Sequence, residues 1–358
     1  MPITNCFGGL SGGPEVLTLI ASIGRFCRLP LVGLTEAVIG VGAASTGSAI
    51  SLGRVWILLL IGLLFHIGVF ILNDVMDVEI DRTDSRRARA PVAAGTVSPA
   101  YAVAVAAASL TAGAAILFTA ENSVAPLACY GSATAGLVVY DLYGKRFAVP
   151  PVTDMVQGIG WGSLVLMSAA LIGQVDLASL ILAVSTCLYM AILTGFSGSL
   201  RDLINDRYHG ANTTPIFFMN RAGSKDEGNL LAPYISYGLV LQILQAATCI
   251  VGVATLASQL GRGGDWYWEL ALTAQAACLL LLWIGLARYS RDRRMWVIGL
   301  AHSILSFWAI LLAVLVRYGV AAFTLASVLL IGPWSCSSVV RAIVTNRGDW
   351  AGRETARS

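Results

Sequence analysis

Charge is what this chain has least of. Only 12% of its 358 residues are Asp, Glu, Lys or Arg, against a mean hydropathy of +0.76. A soluble domain carries about a quarter charged residues. With 57% hydrophobic residues, so few charges cannot keep the apolar surface in water. The chain therefore reads as a polytopic membrane protein. A long basic tract is missing too, and the net charge is only +3, so nothing points to nucleic acid. The seven cysteines (6, 27, 129, 187, 249, 278 and 336) form no CxxC pair. Six lie in or near apolar segments and read as packing residues rather than metal ligands or disulfides. No basic stretch precedes a short apolar one at the N-terminus, which does not look like a cleaved signal peptide.

The chain does have a series of apolar runs. About twenty such residues span a bilayer as a helix. Ten candidates run roughly 31–50, 55–73, 99–119, 124–140, 152–173, 177–198, 231–257, 267–287, 295–317 and 321–340. Lys and Arg choose the sides. Arg82, Arg86, Arg87, Arg89, Lys145, Arg146, Arg201, Arg207, Arg221, Lys225, Arg288, Arg291, Arg293 and Arg294 come after even-numbered spans. Only Arg54, Arg262 and Arg317 come after odd-numbered ones. The positive-inside rule puts the even loops in the cytoplasm, and with them both termini. The chain then divides into 1–30 at the cytoplasmic N-terminus, 31–340 as one transmembrane domain, and 341–358 as a cytoplasmic tail.

Two acidic stretches end apolar spans on that same side. In NDVMDVEID, residues 73–81, Asp74, Asp77 and Asp81 are spaced i, i+3, i+7, and Asn73 and Asp77 are i, i+4. On a helix each set shares a face. In SLRDLINDRYHGANTTP, residues 199–215, Asp202 and Asp206 are again i, i+4. Carboxylates this close repel unless a cation holds them, and hard oxygen donors suit Mg²⁺ completed by a phosphate. Arg86, Arg89, Lys145, Arg146 and Arg201 supply the cations that a diphosphate also needs. A charged helix end alone is usually a solvated flank. Two such sets, on one face, point to a Mg²⁺–diphosphate site.

These residues resemble the UbiA superfamily of intramembrane prenyltransferases. The superfamily's NDxxDxxxD motif matches residues 73–81 at every fixed position. Asp202, Asp206, Gly210 and Thr214 are similar to its second motif. Tyr140 and Tyr143 ahead of Lys145-Arg146 are similar to a third feature, and the match covers roughly residues 66–215. Three departures stand out. Ala90-Pro91 occupies the place of an Arg-Pro pair, with Arg89 one position early. Ser199 stands where some branches, such as the chlorophyll synthases, have Asp. Most members have nine spans, where ten are counted here.

The resemblance implies an all-α transmembrane bundle around a central cavity open to lipid. It also implies two Mg²⁺ ions, one on Asn73 and Asp77 and one on Asp202 and Asp206, with Asp74 and Asp81 supporting or completing the site. Asp77, Asp81, Asp202 and Asp206 would be the catalytic acids. The expected partners are a prenyl diphosphate, a small acceptor and the bilayer. A terpene cyclase of the same superfamily would use the same apparatus without an acceptor. A transporter is the third class considered, but its charged groups would sit at broken helices near the midplane.

Ionisable and polar residues inside spans are often functional. His66, two turns before Asn73, is a candidate for the cavity wall, as are Asp154 and Gln157. Glu36 stands isolated, and His302, between Trp296 and Trp308, reads as packing. Arg25 and Arg28 either anchor the first span or reach the head group. GVGAAS at 40–45 and GIGWG at 158–162 would let helices approach closely. The Ala, Gly, Val and Arg bias resembles a GC-rich bacterium.

Overall fold

A computed structural model describes residues 21–84, 87–121, 123–223, 232–262, 266–287 and 293–355. Arg86, Lys225, Arg288 and Arg291 lie outside them. Among the described residues there is no strand.

Local chemistry sets the helix boundaries. A short 3₁₀ turn, Leu29–Leu31, opens into α1 (Val32–Ser45). The next helix, α2 (Leu52–Met76), starts where the Ser51 side chain accepts from Arg54 N. A single turn, α3 (Val78–Asp81), comes next. Ser98 and Ser123 cap α4 (Pro99–Ala120) and α5 (Val124–Tyr143) in the same way, each satisfying a backbone N–H that the helix cannot. Pro99 and Pro150 open α4 and α6 (Pro150–Ile172), where a missing N–H costs nothing. Asp176 caps α7 (Leu177–Ile192), which continues as a π-helical stretch, Leu193–Gly198, and then α8 (Ser199–Tyr208). The rest comprises α9 (Thr214–Arg221), α10 (Ala232–Gln259), α11 (Tyr267–Ala287) and α12 (Arg293–Thr355). In α12 the regular path breaks at Gly319, whose φ of 83° suits a residue without a side chain.

Each of the ten expected spans falls on a helix, with the last two sharing α12 on either side of Gly319. Among the described residues, 7 helices are long and apolar enough to cross a membrane on their own, and Leu29–Ser45 is a shorter apolar one. The protein is a multi-pass membrane protein. Its first span is shorter than the expected 31–50, because the helix stops at Ser45 and the chain runs non-helical before Ser51.

The helices pack as a closed circuit. α1 lies on α2, α2 on α4, α4 on α5, α5 on α6, α6 on α7, α7 on α10, α10 on α11, α11 on α12, and α12 returns to α1. Between apolar helices in lipid the hydrophobic effect does little, so close van der Waals contact must hold them. Small residues allow it. A Cβ on Gly158 would come within 2.3 Å of the Cys187 carbonyl oxygen, and one on Gly162 within 2.7 Å of that of Ala183. Thus α6 and α7 touch backbone to backbone. At the end of the bundle away from the acids, Arg54 pairs with Glu121 at 2.8 Å and ties α2 to the end of α4.

Candidate active site

At the other end the two acidic stretches meet. The first does not form one continuous stripe. α2 stops at Met76, Asp77 has non-helical φ and ψ of −94° and 5°, and α3 starts afresh at Val78. Asn73 and Asp77 reach the cavity at this end of the bundle, whereas Asp74 and Asp81 sit behind it, each only 3% exposed. Asp74 pairs with Arg28, and Asp81 takes Arg87 Nη1 at 3.3 Å. A contiguous helical face of 74, 77 and 81 is therefore corrected to two layers, an inner Asn73–Asp77 pair and an outer, arginine-bound Asp74–Asp81 pair.

The second stretch approaches from α8. Residues 193–198 carry π-type turns, and Ser199 Oγ donates five residues back to Thr194 O. Such a turn inserts one residue and resets the phase of the helix beyond it. α8 ends at Tyr208 with His209 as its C-cap, and Gly210 next to that has φ +67°, a left-handed turn that an L side chain resists. Contacts to the first stretch are direct. Thr83 Oγ1 donates to Asn205 Oδ1 at 3.2 Å, and Asn205 Nδ2 donates to Ile80 O at 3.2 Å. The loop after α5 joins them, with Asn212 N donating to Lys145 O at 2.7 Å.

Lys145 is the hinge of the charge arrangement. Its Nζ lies 3.0 Å from Asp77 Oδ2 and 3.4 Å from Asp206 Oδ1, so one ammonium bridges a carboxylate of each stretch. Burial works against its charge, but Asp77 and Asp206 outweigh it and hold the ammonium above its usual range. Burial likewise opposes charge on Arg87, and Asp81, Asp202, Asp74 and Asp77 reverse that and raise it. Burial pushes the Asp81 carboxyl up, with Arg87 pulling the other way. Arg201 holds Asp202 with both Nε and Nη2, at 2.9 and 2.8 Å. Asn73 Nδ2 donates to Asp141 Oδ1 at 3.0 Å. A carboxylate there takes only the amide N–H, which leaves Asn73 Oδ1 as the acceptor end.

These groups rim a cavity of about 670 Å³. Asn73, Asp77, Lys145, Arg201, Asp202 and Asp206 line its mouth, and Tyr140, Asp154 and Gln157 also face it. Below them the wall is apolar and aromatic, with Phe70, Trp161, Tyr189, Phe196 and Phe307 among Leu, Ile and Met side chains. Asp154 accepts from the Thr214 hydroxyl, so the threonine of the second stretch fixes this carboxyl. Besides Asp74 and Asp81, four expected residues do not line the cavity. Arg89, Tyr143 and Arg146 are exposed on its outside. His66 is buried in packing instead, with Nδ1 3.0 Å from Thr35 Oγ1, Nε2 3.1 Å from Arg28 O, and its ring 4.3 Å from that of Phe70.

Two site residues, Arg87 and Asp141, are not singled out for this role in the sequence, and Arg28 is open there between anchor and head-group contact. Asp141 had a signal, since it stands four before Lys145 at the end of an apolar span. Arg28 had one too, a basic residue just before α1, but that looks the same as an anchor.

The donor set fits a hard cation incompletely, in an informative way. Asp206 Oδ1 is buried without a hydrogen bond and has the Lys145 ammonium at ion-pair distance. Among the described residues no group of three or more Asp, Glu, His or Cys could hold a metal ion alone. Mg²⁺ is commonly held by one or two carboxylates with waters and substrate phosphates. The rim suits a cation that arrives with its phosphate.

The site is thus an apolar cavity inside a helical membrane bundle, rimmed at its mouth by interleaved acids and bases. The family model of the UbiA prenyltransferase family matches residues 35–304. The chain belongs to the UbiA prenyltransferase family. No curated protein matches it. Among solved structures it is similar to a digeranylgeranylglyceryl phosphate synthase, at 17% identity and TM-score 0.58, covering 86% of this chain and 98% of that one. A UbiA homolog from Aeropyrum pernix K1 gives 20% identity and TM-score 0.56 over 78% of this chain and 96% of its own. A UbiA homolog from Archaeoglobus fulgidus bound to GPP and Mg²⁺ gives 14% and 0.57 over 81% and 99%. At these identities they show the shared fold.

Proposed function

We propose that this protein is a Mg²⁺-dependent prenyltransferase that ionises a prenyl diphosphate and joins the isoprenyl group to a small, aromatic acceptor. The observation that carries this is Lys145, bridging Asp77 and Asp206 at the mouth of an apolar cavity. The solved Archaeoglobus fulgidus relative bound to GPP and Mg²⁺ supports the same chemistry. Asn73, Asp77, Asp202 and Asp206 would hold two Mg²⁺ ions, which neutralise the diphosphate and stabilise the charge it gains on leaving.

The chain's own residues do the rest. Lys145, Arg28, Arg87 and Arg201 line the mouth and bind spare phosphate oxygens. Asp74 and Asp81 hold Arg28 and Arg87 in place for that task. Apolar walls take the prenyl tail and keep water from the allylic cation. The faces of Phe70, Trp161, Tyr189 and Phe307 stabilise positive charge on carbon. The rim is cytoplasmic, a side that the arginine distribution supports, and both termini share it.

The experiment is product analysis in nanodiscs with Mg²⁺, several prenyl diphosphates and a panel of small aromatic acceptors. A prenylated acceptor plus released diphosphate is the expected result. A cyclic hydrocarbon or alcohol formed without acceptor would make the protein a cyclase, and no diphosphate release under any condition would sink both readings.

A further inference from the structure

A second polar cluster lies on helices α10, α11 and α12, at residues the diphosphate chemistry does not use. Gln242, Gln245, Gln275 and His302 are each at most 1% exposed. Gln242 Nε2 donates to Gln245 Oε1 at 2.9 Å and to Gln275 Oε1 at 3.0 Å. Both of its N–H groups are thereby used, and its Oε1 stands 2.8 Å from His302 Nε2. An amide oxygen can only accept, so the ring proton sits on Nε2. In the neutral ring Nδ1 is then a bare acceptor, and among the described residues it has no hydrogen-bond partner.

Amide bonds between helices explain the glutamines, since such bonds glue membrane bundles. They do not explain an acceptor left empty on a ring that lines the main cavity. Buried polar atoms are nearly always partnered, and the exceptions need a reason. Position supplies one. The neighbouring Ser303 also lines the cavity and donates to Ser197 Oγ at 3.2 Å. Ser197 belongs to the π-helical stretch that leads directly into α8 and Asp202. This patch of wall is therefore tied to the segment that carries the second acid pair. Leu282, Leu286, Ile304 and Phe307 surround it with apolar surface.

We infer that His302 Nδ1 is the recognition point for the acceptor, which carries an O–H or N–H donor on an otherwise apolar body. This rests on the prenyltransferase assignment and adds to it the chemical class of the second substrate. His302 accepts the donor's hydrogen, and Gln242 positions the ring by fixing its tautomer.

The test uses a matched pair of probes, 1-naphthol and its methyl ether 1-methoxynaphthalene, with the full-length protein in nanodiscs. Binding is tracked by quenching of tryptophan fluorescence, to which Trp161 in the cavity wall contributes. Wild type is expected to prefer the naphthol by about five- to tenfold, the size of one hydrogen bond in an apolar site. In His302→Leu the ratio falls to about one while affinity for the ether is kept. His302→Asn, which stays polar, is the second variant, with the ratio cut below half. An unchanged ratio in either folded variant, or no saturable binding of either probe to wild type, overturns the inference. Diphosphate release by wild type from several prenyl diphosphates, with and without the acceptor panel, checks the parent assignment separately. Its failure, with naphthol preference intact, removes the enzyme assignment and leaves the donor-recognising site.

Discussion

The two polar regions of this molecule solve opposite problems. The rim gathers full charges, with Asp77 and Asp206 on Lys145, Asp74 on Arg28, Asp81 on Arg87 and Asp202 on Arg201. The wall of α10–α12 gathers neutral amides and one imidazole. Charge is tolerated where loops and water are near, and it is strong enough to grip an anion. Deep among apolar helices an unpaired charge is expensive, so orientation is carried by amide dipoles instead. One cavity touches both.

This contrast can be broken in stages. The largest effect belongs to the acids. Asp77→Ala and Asp202→Ala should each lower diphosphate release at least about a thousandfold, with unchanged chromatographic behaviour and melting; near-normal turnover in both folded variants removes the metal–diphosphate assignment. Next comes Lys145→Met, with a loss of about a hundredfold, the usual cost of one positioned charge-stabilising donor. Its melting temperature should also fall more in low salt than in high, because the repelling Asp77 and Asp206 are left unscreened. A salt-independent change would mean that Lys145 matters for packing alone.

Asp141→Leu should act more mildly. Asn73 loses the partner that fixes its amide, and manganese affinity measured by EPR should weaken about tenfold, in the range of outer-shell partners at metal sites. Equal affinity in the variant would show that Asn73 needs no such help. The smallest effect is expected in the neutral region. Gln242→Leu removes three amide contacts and should cost about 1–2 kcal/mol, read as a lower melting temperature that does not vary with salt. A salt-dependent loss there would erase the distinction between the two regions.

Much of this architecture is legible in the amino acids. Apolar runs locate the helices because each must cross the same thickness of hydrocarbon. The two acid sets announce the rim because i, i+4 carboxylates at the ends of greasy spans are costly without a purpose. The remainder depends on pairings across space, which hydropathy does not record. Arg28 looks like an anchor until Asp74 is seen beside it, 46 residues on. His302 looks like packing because Gln242, its partner, is 60 residues away on another helix. His66 misled in the reverse direction, since two helical turns put it on the right side of α2 but Thr35 and Arg28 O hold its ring in the packing. The break at Asp77 also left no trace, as NDVMDVEID has neither Gly nor Pro.

The π-helical stretch at Leu193–Gly198 has a bearing on descent as well as on geometry. Excising a single codon there would restore an unbroken α-helix and leave everything downstream in its present phase, whereas a substitution that straightens the stretch without shortening it would turn everything downstream by about 100° about the helix axis. Asp202 and Asp206 would then swing out of the cavity while every motif letter stayed intact. A homologue could thus keep both signatures and lose the enzyme through one substitution that straightens this stretch, and a screen of genomes by motif alone would count it as active.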